Sequence, residues 1–496
     1  MNAVHPIRRL SLDDVQVHAD GDLLRYDAPE SDFTDDRLAA LRDDKAALLA
    51  WLRDTDPQGR VAHRAPSSHV QAEVWRKARR NRNPVVYTLA QRWHITGPFD
   101  VAAFTEAVGW WHARHAALRT RFTALPDDPD DPVIEVLEPW DAAPEFTDLT
   151  VLPEPDRTTE LERLCRAAVE RDLPLTEAPL WSLRLWRLEP ERHVLLWRLH
   201  HAIVDGTAMA RLQAELMHAY RAFRDGGTPE LPDVTTDLAD YARDRRRAIA
   251  DGHLAEIADY WRTELDGAPL RPEFAYDRPR PERLSGEGAI HEFGVPAEVL
   301  AGLRATARHH QTTLYIVMLT AYAVMLAEFT GQSEVVLPVS YANRSDPRHA
   351  DVVGMLSERV PIRVRLAEAD DFADLVDQVG HRVFEAMDHQ GLPLSVLLSE
   401  LPPDARPRPD FPHALFTLLD GFEATPEVPG LDIESASDAP QGAARMDFYC
   451  FMTTGPSGLR GWLEYSTDVF DADTVAHWIT RFTTLLTQAA TGGDSR

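Results

Sequence analysis

The apolar run Val194-Leu195-Leu196-Trp197-Arg198-Leu199 stops at His200-His201, and Ala202-Ile203-Val204 then leads to Asp205-Gly206. A run of this length and composition reads as a buried strand. Successive side chains on a strand point to opposite faces, so one imidazole can look into a cavity while its neighbour packs away from it. The glycine permits a tight turn into a following helix, and the acid can fix the local geometry. Two histidines, an acid and a glycine at a strand end make a plausible acyl-transfer site. An isolated histidine pair is better explained as two packed, neutral rings at a helix entry. The Asp-Gly spacing and the surrounding sequence tip the balance towards chemistry.

With 496 residues the chain exceeds one typical domain, and two or three compact units are expected. Its formal charge of -28 argues against nucleic acid or an anionic membrane as the main partner. Cys165 and Cys450 are the only cysteines, which excludes a disulfide framework and a thiolate metal cluster and makes a cytoplasmic location the expectation. Met1 to Leu10 lacks the hydrophobic segment of a secretory signal. The stretch Leu314 to Ala327 is shorter than a membrane span and reads as a buried core helix. No His-Glu-x-x-His spacing, phosphate-binding loop or dinucleotide fingerprint occurs, so neither a metal nor a resident cofactor is expected.

Residues 1–60 read as a small module: Val15-Gln16-Val17 and Leu23-Leu24-Arg25-Tyr26 suggest a hairpin. Thr34 is placed to cap a helix from Asp35 that carries Leu38, Leu41, Leu48 and Leu52 at helical spacing. A unit this small has little core of its own and is expected to lean on a partner or a second copy. Asp54 to Ser68, with Pro57, Gly59 and Pro66, reads as a linker. The remainder divides into residues 61–240 and 241–496, joined through a charged connection from Arg224 to Arg247. Strands and helices mix without the short alternation of a barrel or doubly wound sheet, which gives a mixed α/β (α+β) class.

Taken together, residues 67–490 resemble the condensation domain of nonribosomal peptide synthetases. Ser68-x-x-Gln71-x-x-x-Trp75 is similar to the family's opening motif, and Arg114-His115-Ala116-Ala117-Leu118-Arg119-Thr120-Arg121-Phe122 to its second. His200 to Gly206 resembles the active-site motif. Asp240-Tyr241-Ala242 with Tyr260-Trp261, then Val353-Gly354, Pro361-Ile362-Arg363, His389-Gln390 and Pro393, resemble later ones. Gly458-Leu459-Arg460-Gly461 and Glu464 to Phe470 resemble the last strand and turn.

The resemblance implies two chloramphenicol-acetyltransferase-like lobes in a V-shaped pseudo-dimer, with a tunnel between them open to phosphopantetheine arms. It implies His201 as the catalytic histidine, His200 as an orienting neighbour, Asp205 as a brace paired with Arg344, and Gly206 as a source of backbone freedom. The residues leave open whether His201 removes a proton, orients the nucleophile or stabilises the tetrahedral intermediate. Thr207-Ala208 and Leu356-Ser357-Glu358-Arg359 depart from the family's usual Trp-Ser and Phe-Val-Asn-Thr. Thr207 and Glu358 are therefore expected along the tunnel, where they either suit an unusual, amine-bearing nucleophile or are simply tolerated.

Residues 1–60 resemble a tubulysin-type N-terminal docking domain, on Gly21-Asp22-Leu23-Leu24-Arg25-Tyr26, Ala28-Pro29 and Lys45-Ala46-Ala47-Leu48-Leu49. That implies capture of the C-terminal tail of an upstream synthetase by strand addition; the alternative is a solubilising extension. Thr491-Gly492-Gly493-Asp494-Ser495 mimics a pantetheine attachment site but lacks the helical bundle a carrier needs. The function expected is a free-standing condensation enzyme joining a carrier-bound acyl or peptidyl thioester to an amine or hydroxyl. Its expected partners are a donor carrier protein and either an acceptor carrier or a free small molecule. The alternatives are an acyl-CoA-dependent O-acyltransferase of the wax-ester-synthase type and an inactive recruitment platform.

Overall fold

The computed structural model describes residues 5–28, 35–270, 272, 274–403, 405–407, 411–419, 426–437 and 442–492. In the first half, five strands form one sheet in the spatial order Asp432–Ser437, Thr88–Thr96, Arg192–His200, Trp181–Glu189 and Glu145–Asp148. The first of these comes from far along the chain and pairs antiparallel with Thr88–Thr96, Ile433 opposite Ile95. Arg192–His200 is a central strand, buried from His193 to His200, which explains its nearly continuous apolar run. Helices Val101–Arg114 and Gly206–Arg224 pack together, and Trp93, Trp111, Trp181, Trp197 and Leu212 meet in the same core.

The second half has its own core around the helix Leu314–Thr330, buried from Ile316 to Ala327. Apolar residues encircle this helix, as expected of one enclosed on all sides. A four-stranded sheet runs Gly288–Pro296, Gly458–Ser466, Phe448–Gly455, Ala414–Leu419. The ladder Glu334–Tyr341 with Glu358–Arg365 is antiparallel, and Tyr341 stands opposite Glu358. No single helix among the described residues is long and apolar enough to cross a membrane.

Three sequence expectations are corrected. The stretch Asp54 to Ser68 is not a linker: Val61–Pro66 is a strand paired with Val133–Leu137. Buried Arg64 anchors it, donating from Nε to Glu135 Oε1 at 2.8 Å and from Nη1 to the Val17 carbonyl at 3.1 Å. Secondly, the charged connection contains the helix Leu238–Ala250, opened by a capping box between Asp237 and Asp240. Thirdly, the single helix expected from Asp35 is two, Asp35–Asp43 and Lys45–Thr55, broken at Asp44. The expected Thr34 cap lies outside the described residues.

The hairpin Gln16–Asp20 with Leu23–Asp27 is present, and Gly21 turns it with a φ of 58°. The small module leans on its own chain: Ile7, Leu10, Val17, Leu48, Trp51 and Leu52 share a core with Leu125 and Val133. Its helix Pro6–Leu12 is further held by Arg8, paired with Asp131.

Candidate active site

The central strand ends at His200 and a single 3₁₀ turn, His201–Ile203, carries the chain to the helix Gly206–Arg224. His200 donates its main-chain N–H to Leu180 O at 2.9 Å, and His201 donates its own to Tyr87 O at 2.8 Å. The two rings have different duties. His200 is buried, and its Nδ1 accepts the Ala202 N–H at 3.0 Å, which requires a neutral ring. Burial and the adjacent His201 hold its pKa down to about 3. It is a packing group and a local cap.

His201 Nδ1 lies 2.8 Å from the Val204 carbonyl oxygen. A carbonyl only accepts, so Nδ1 carries the proton and Nε2 keeps its lone pair. Burial lowers the His201 pKa, the Arg445 guanidinium adds to this, and the Val204 carbonyl and Asp205 oppose it. The ring is therefore a neutral base at cellular pH, in the tautomer that presents Nε2.

Asp205 is fully committed to structure. Oδ1 accepts the Ala208 N–H at 2.9 Å and so caps the helix. Oδ2 accepts from Arg344 Nη1 at 2.8 Å and from the Leu356 and Ser357 N–H groups at 2.9 Å each. Arg344 also reaches the Val352 carbonyl at 3.2 Å and that of Gly354 at 3.4 Å. One carboxylate thus joins the motif of the first half to the turn before Glu358–Arg365 in the second. Gly206 is the first residue of the helix and is not among the positive-φ glycines, so the tight-turn freedom expected of it is not used.

The opening motif supports this turn from below. Ser68 caps the helix His69–Arg80 and Gln71 Oε1 returns to the Ser68 N–H at 2.9 Å; Gln71 Nε2 then donates to Ala202 O at 3.2 Å. In the second motif, Arg114 and His115 both hold Glu215 on the active-site helix, at 2.8 and 2.9 Å.

Sequence reasoning missed the cations around His201. Arg445 bonds Glu464 at 3.0 Å and lies over the rings of Tyr449 and Phe451, 5.0 and 5.2 Å from their centroids. With Tyr87, Lys77, Arg80 and Arg283 it lines an open cleft of about 740 Å³. Nothing local in Ala443-Ala444-Arg445-Met446 signals that placement, which depends on strand pairing; Gln71, by contrast, stands in the opening motif. Thr207 is exposed in the first turn of its helix. Glu358 is buried, with 6% of its surface exposed. Burial, then Glu73, pushes its pKa up to about 8, while Arg359 and Arg245 pull the other way. No group of three or more metal-ligating side chains occurs among the described residues.

The Condensation domain family model matches residues 61–496. This chain belongs to the condensation-domain family. Residues 5–54 match the TubC N-terminal docking domain. Phosphinothricin tripeptide synthetase PhsC of Streptomyces viridochromogenes is 31% identical over 83% of this chain and 38% of its own length. A linear gramicidin synthase from Brevibacillus parabrevis is 28% identical over 93% of this chain and 6% of its own length. The chain thus spans well under half of the curated relatives it matches. Among solved structures, SgcC5 from Streptomyces globisporus superposes with a TM-score of 0.70 at 26% identity, covering 82% of this chain and 93% of that one. The first condensation domain of the CDA synthetase gives 0.73 at 22% identity over 87% and 97%, a likeness of fold.

Proposed function

We propose that the chain joins an acyl or peptidyl thioester, presented on the phosphopantetheine arm of a carrier protein, to an amine or hydroxyl acceptor, with His201 as the catalytic base. The observation that carries this is the His201 Nδ1–H bond to Val204, which leaves Nε2 as the proton acceptor. As the acceptor's nitrogen or oxygen attacks the thioester carbonyl, its proton passes to Nε2. Collapse of the tetrahedral intermediate breaks the C–S bond and that proton returns to the departing thiolate. The proposed site comprises His201, His200 packed behind it, Asp205 and Gly206 at the helix start, and Arg344 bracing Asp205. Residues 61–240 and 241–496 are the proposed lobes flanking it. PhsC and the gramicidin synthase, both enzymes of peptide synthesis by name, support an amine acceptor. SgcC5, solved with a naphthyl ethanediol, supports keeping hydroxyls in scope. Residues 1–60 are proposed to receive the C-terminal tail of an upstream synthetase, in keeping with the docking-domain match.

The test is turnover of an acyl group offered on a holo-carrier protein and as its CoA ester. His201→Ala is expected to lose most product formation while keeping the wild-type melting curve. Unchanged turnover in that variant refutes His201 as the base, and equal or faster use of the CoA ester refutes carrier presentation.

A further inference from the structure

Glu358 is a buried carboxyl whose surroundings do not complete it. Its main-chain neighbour Ser357 donates to Asp205, so it sits one residue from the brace on the active-site motif. Across the ladder stands Tyr341, whose hydroxyl accepts the Gly391 N–H at 3.0 Å. Gly391, Arg245 and Asn343 wall a second cleft, of about 620 Å³. Asn343 ties that wall back to the site, donating to Tyr241 Oη at 2.8 Å and to Leu356 O at 3.1 Å.

The cations near Glu358 are engaged elsewhere. Arg359 lies 3.7 Å from Glu73, and Arg245 donates to the Gly391 carbonyl. Among the described residues no lysine or arginine nitrogen pairs with the Glu358 carboxylate within 4.0 Å. A buried carboxyl without a cation is costly once ionised.

We propose that Glu358 is a specificity-determining residue that receives a positively charged nitrogen, the ammonium of an amine-bearing acceptor entering by the cleft walled by Arg245, Asn343 and Gly391. This rests on the acyl-transfer reading and narrows its acceptor. In the empty site the carboxyl holds its proton, because burial and Glu73 outweigh the pull of Arg359, Arg245 and the Leu394 N–H; Tyr241 and Tyr341 face it uncharged. The arriving ammonium makes the carboxylate the favoured form. One proton leaves Glu358 for solvent, and a charge-assisted N–H···O bond takes its place. The acceptor nitrogen later gives up its own protons to reach the attacking amine, the last of them to His201.

The experiment is titration calorimetry of the full chain with alanyl- and lactyl-N-acetylcysteamine thioesters, which differ only in ammonium against hydroxyl. The wild type is expected to bind the alanyl compound about ten-fold tighter, the scale of one charge-assisted hydrogen bond. Binding in buffers of different ionisation enthalpy should show proton release for that ligand alone. In Glu358→Gln, a near-isosteric change, the preference should fall to within about two-fold and the proton release should vanish, with lactyl binding retained. Glu358→Asp should restore part of the preference. A wild type without preference, or a Glu358→Gln chain that keeps it, overturns the proposal. His201→Ala serves as the companion: it should keep the binding preference and lose turnover. If it keeps turnover, the acyl-transfer reading fails while the recognition result stands.

Discussion

The Asp205–Arg344 pair gives the sharpest energetic prediction, because its side chains are only 1% and 6% exposed and solvent screens them little. Breaking a buried pair from one side costs about 3–5 kcal/mol, since the partner keeps its charge without compensation. Arg344→Met leaves Asp205 with three N–H donors, from Ala208, Leu356 and Ser357, so the loss should sit near the lower figure, about 3 kcal/mol. Asp205→Ala should cost more, about 4–5 kcal/mol, because Arg344 keeps only carbonyl partners and the helix loses a cap worth about 1 kcal/mol. Asp205→Ser keeps a capping oxygen and should recover that last contribution alone. The assay is equilibrium denaturation followed by fluorescence of the 12 tryptophans, for each single variant and for Asp205→Ser with Arg344→Met. The double variant should be less destabilised than the sum of the singles by about 2 kcal/mol or more. Additivity within about 0.5 kcal/mol would refute the reasoning, since it would mean the two halves do not feel each other through this pair.

Arg445→Gln removes the cation that most depresses His201, so the acid limb of the pH–rate profile should move to higher pH; an unmoved limb would show that Arg445 does not act on the base. Gln71→Ala should lower kcat several-fold with a stability loss of about 1 kcal/mol, because it frees the Ala202 carbonyl and half of the Ser68 capping box; steady-state rates with a melting curve check both. For Glu358 the folded pKa lies above the ordinary carboxylate value, so the unfolded chain ionises first and stability falls as pH rises from about 4.5 towards about 8. Glu358→Gln should abolish that slope and stabilise the empty protein by roughly 1–3 kcal/mol at pH 8, read by denaturation across pH. A methyl added at Gly302 would meet the Ala490 carbonyl oxygen at 2.6 Å, so Gly302→Ala should destabilise by about 1–3 kcal/mol in the same denaturation assay, by forcing apart the helices Ala297–His309 and Ala472–Thr491.

What could be read in advance was what the chain determines locally or what a shared motif preserves. The strand into His200, the helix after Gly206 and the hairpin around Gly21 all declare themselves through short-range pattern. The Arg344 pairing came from resemblance and is present at 2.8 Å. The failures have a common cause. Val61–Pro66 looks like a linker because its partner, Val133–Leu137, lies some seventy positions on and its two charged contacts, Arg64 with Glu135, are individually unremarkable. The helix Leu238–Ala250 is hidden by its own arginines, which in the fold reach Asp14, Asp131 and Gly391. Arg445 and Glu358 show the same limit at the site. Each owes its environment to elements that meet only after folding, so neither carries a local signal.

The strand Asp432–Ser437 has a mechanical consequence. It belongs by chain order to the second half, yet its main chain completes the sheet that carries the His200 strand. The halves therefore cannot swing apart as hinged bodies without first unzipping this ladder from Ile433–Ile95 through Ser437–Gln91. Local detachment of an edge strand is a lower-energy event than global opening. Cargo too wide for the standing gap would then be admitted at a rate set by that peeling, and the amide-exchange rates of this one segment would report how often the gate stands open.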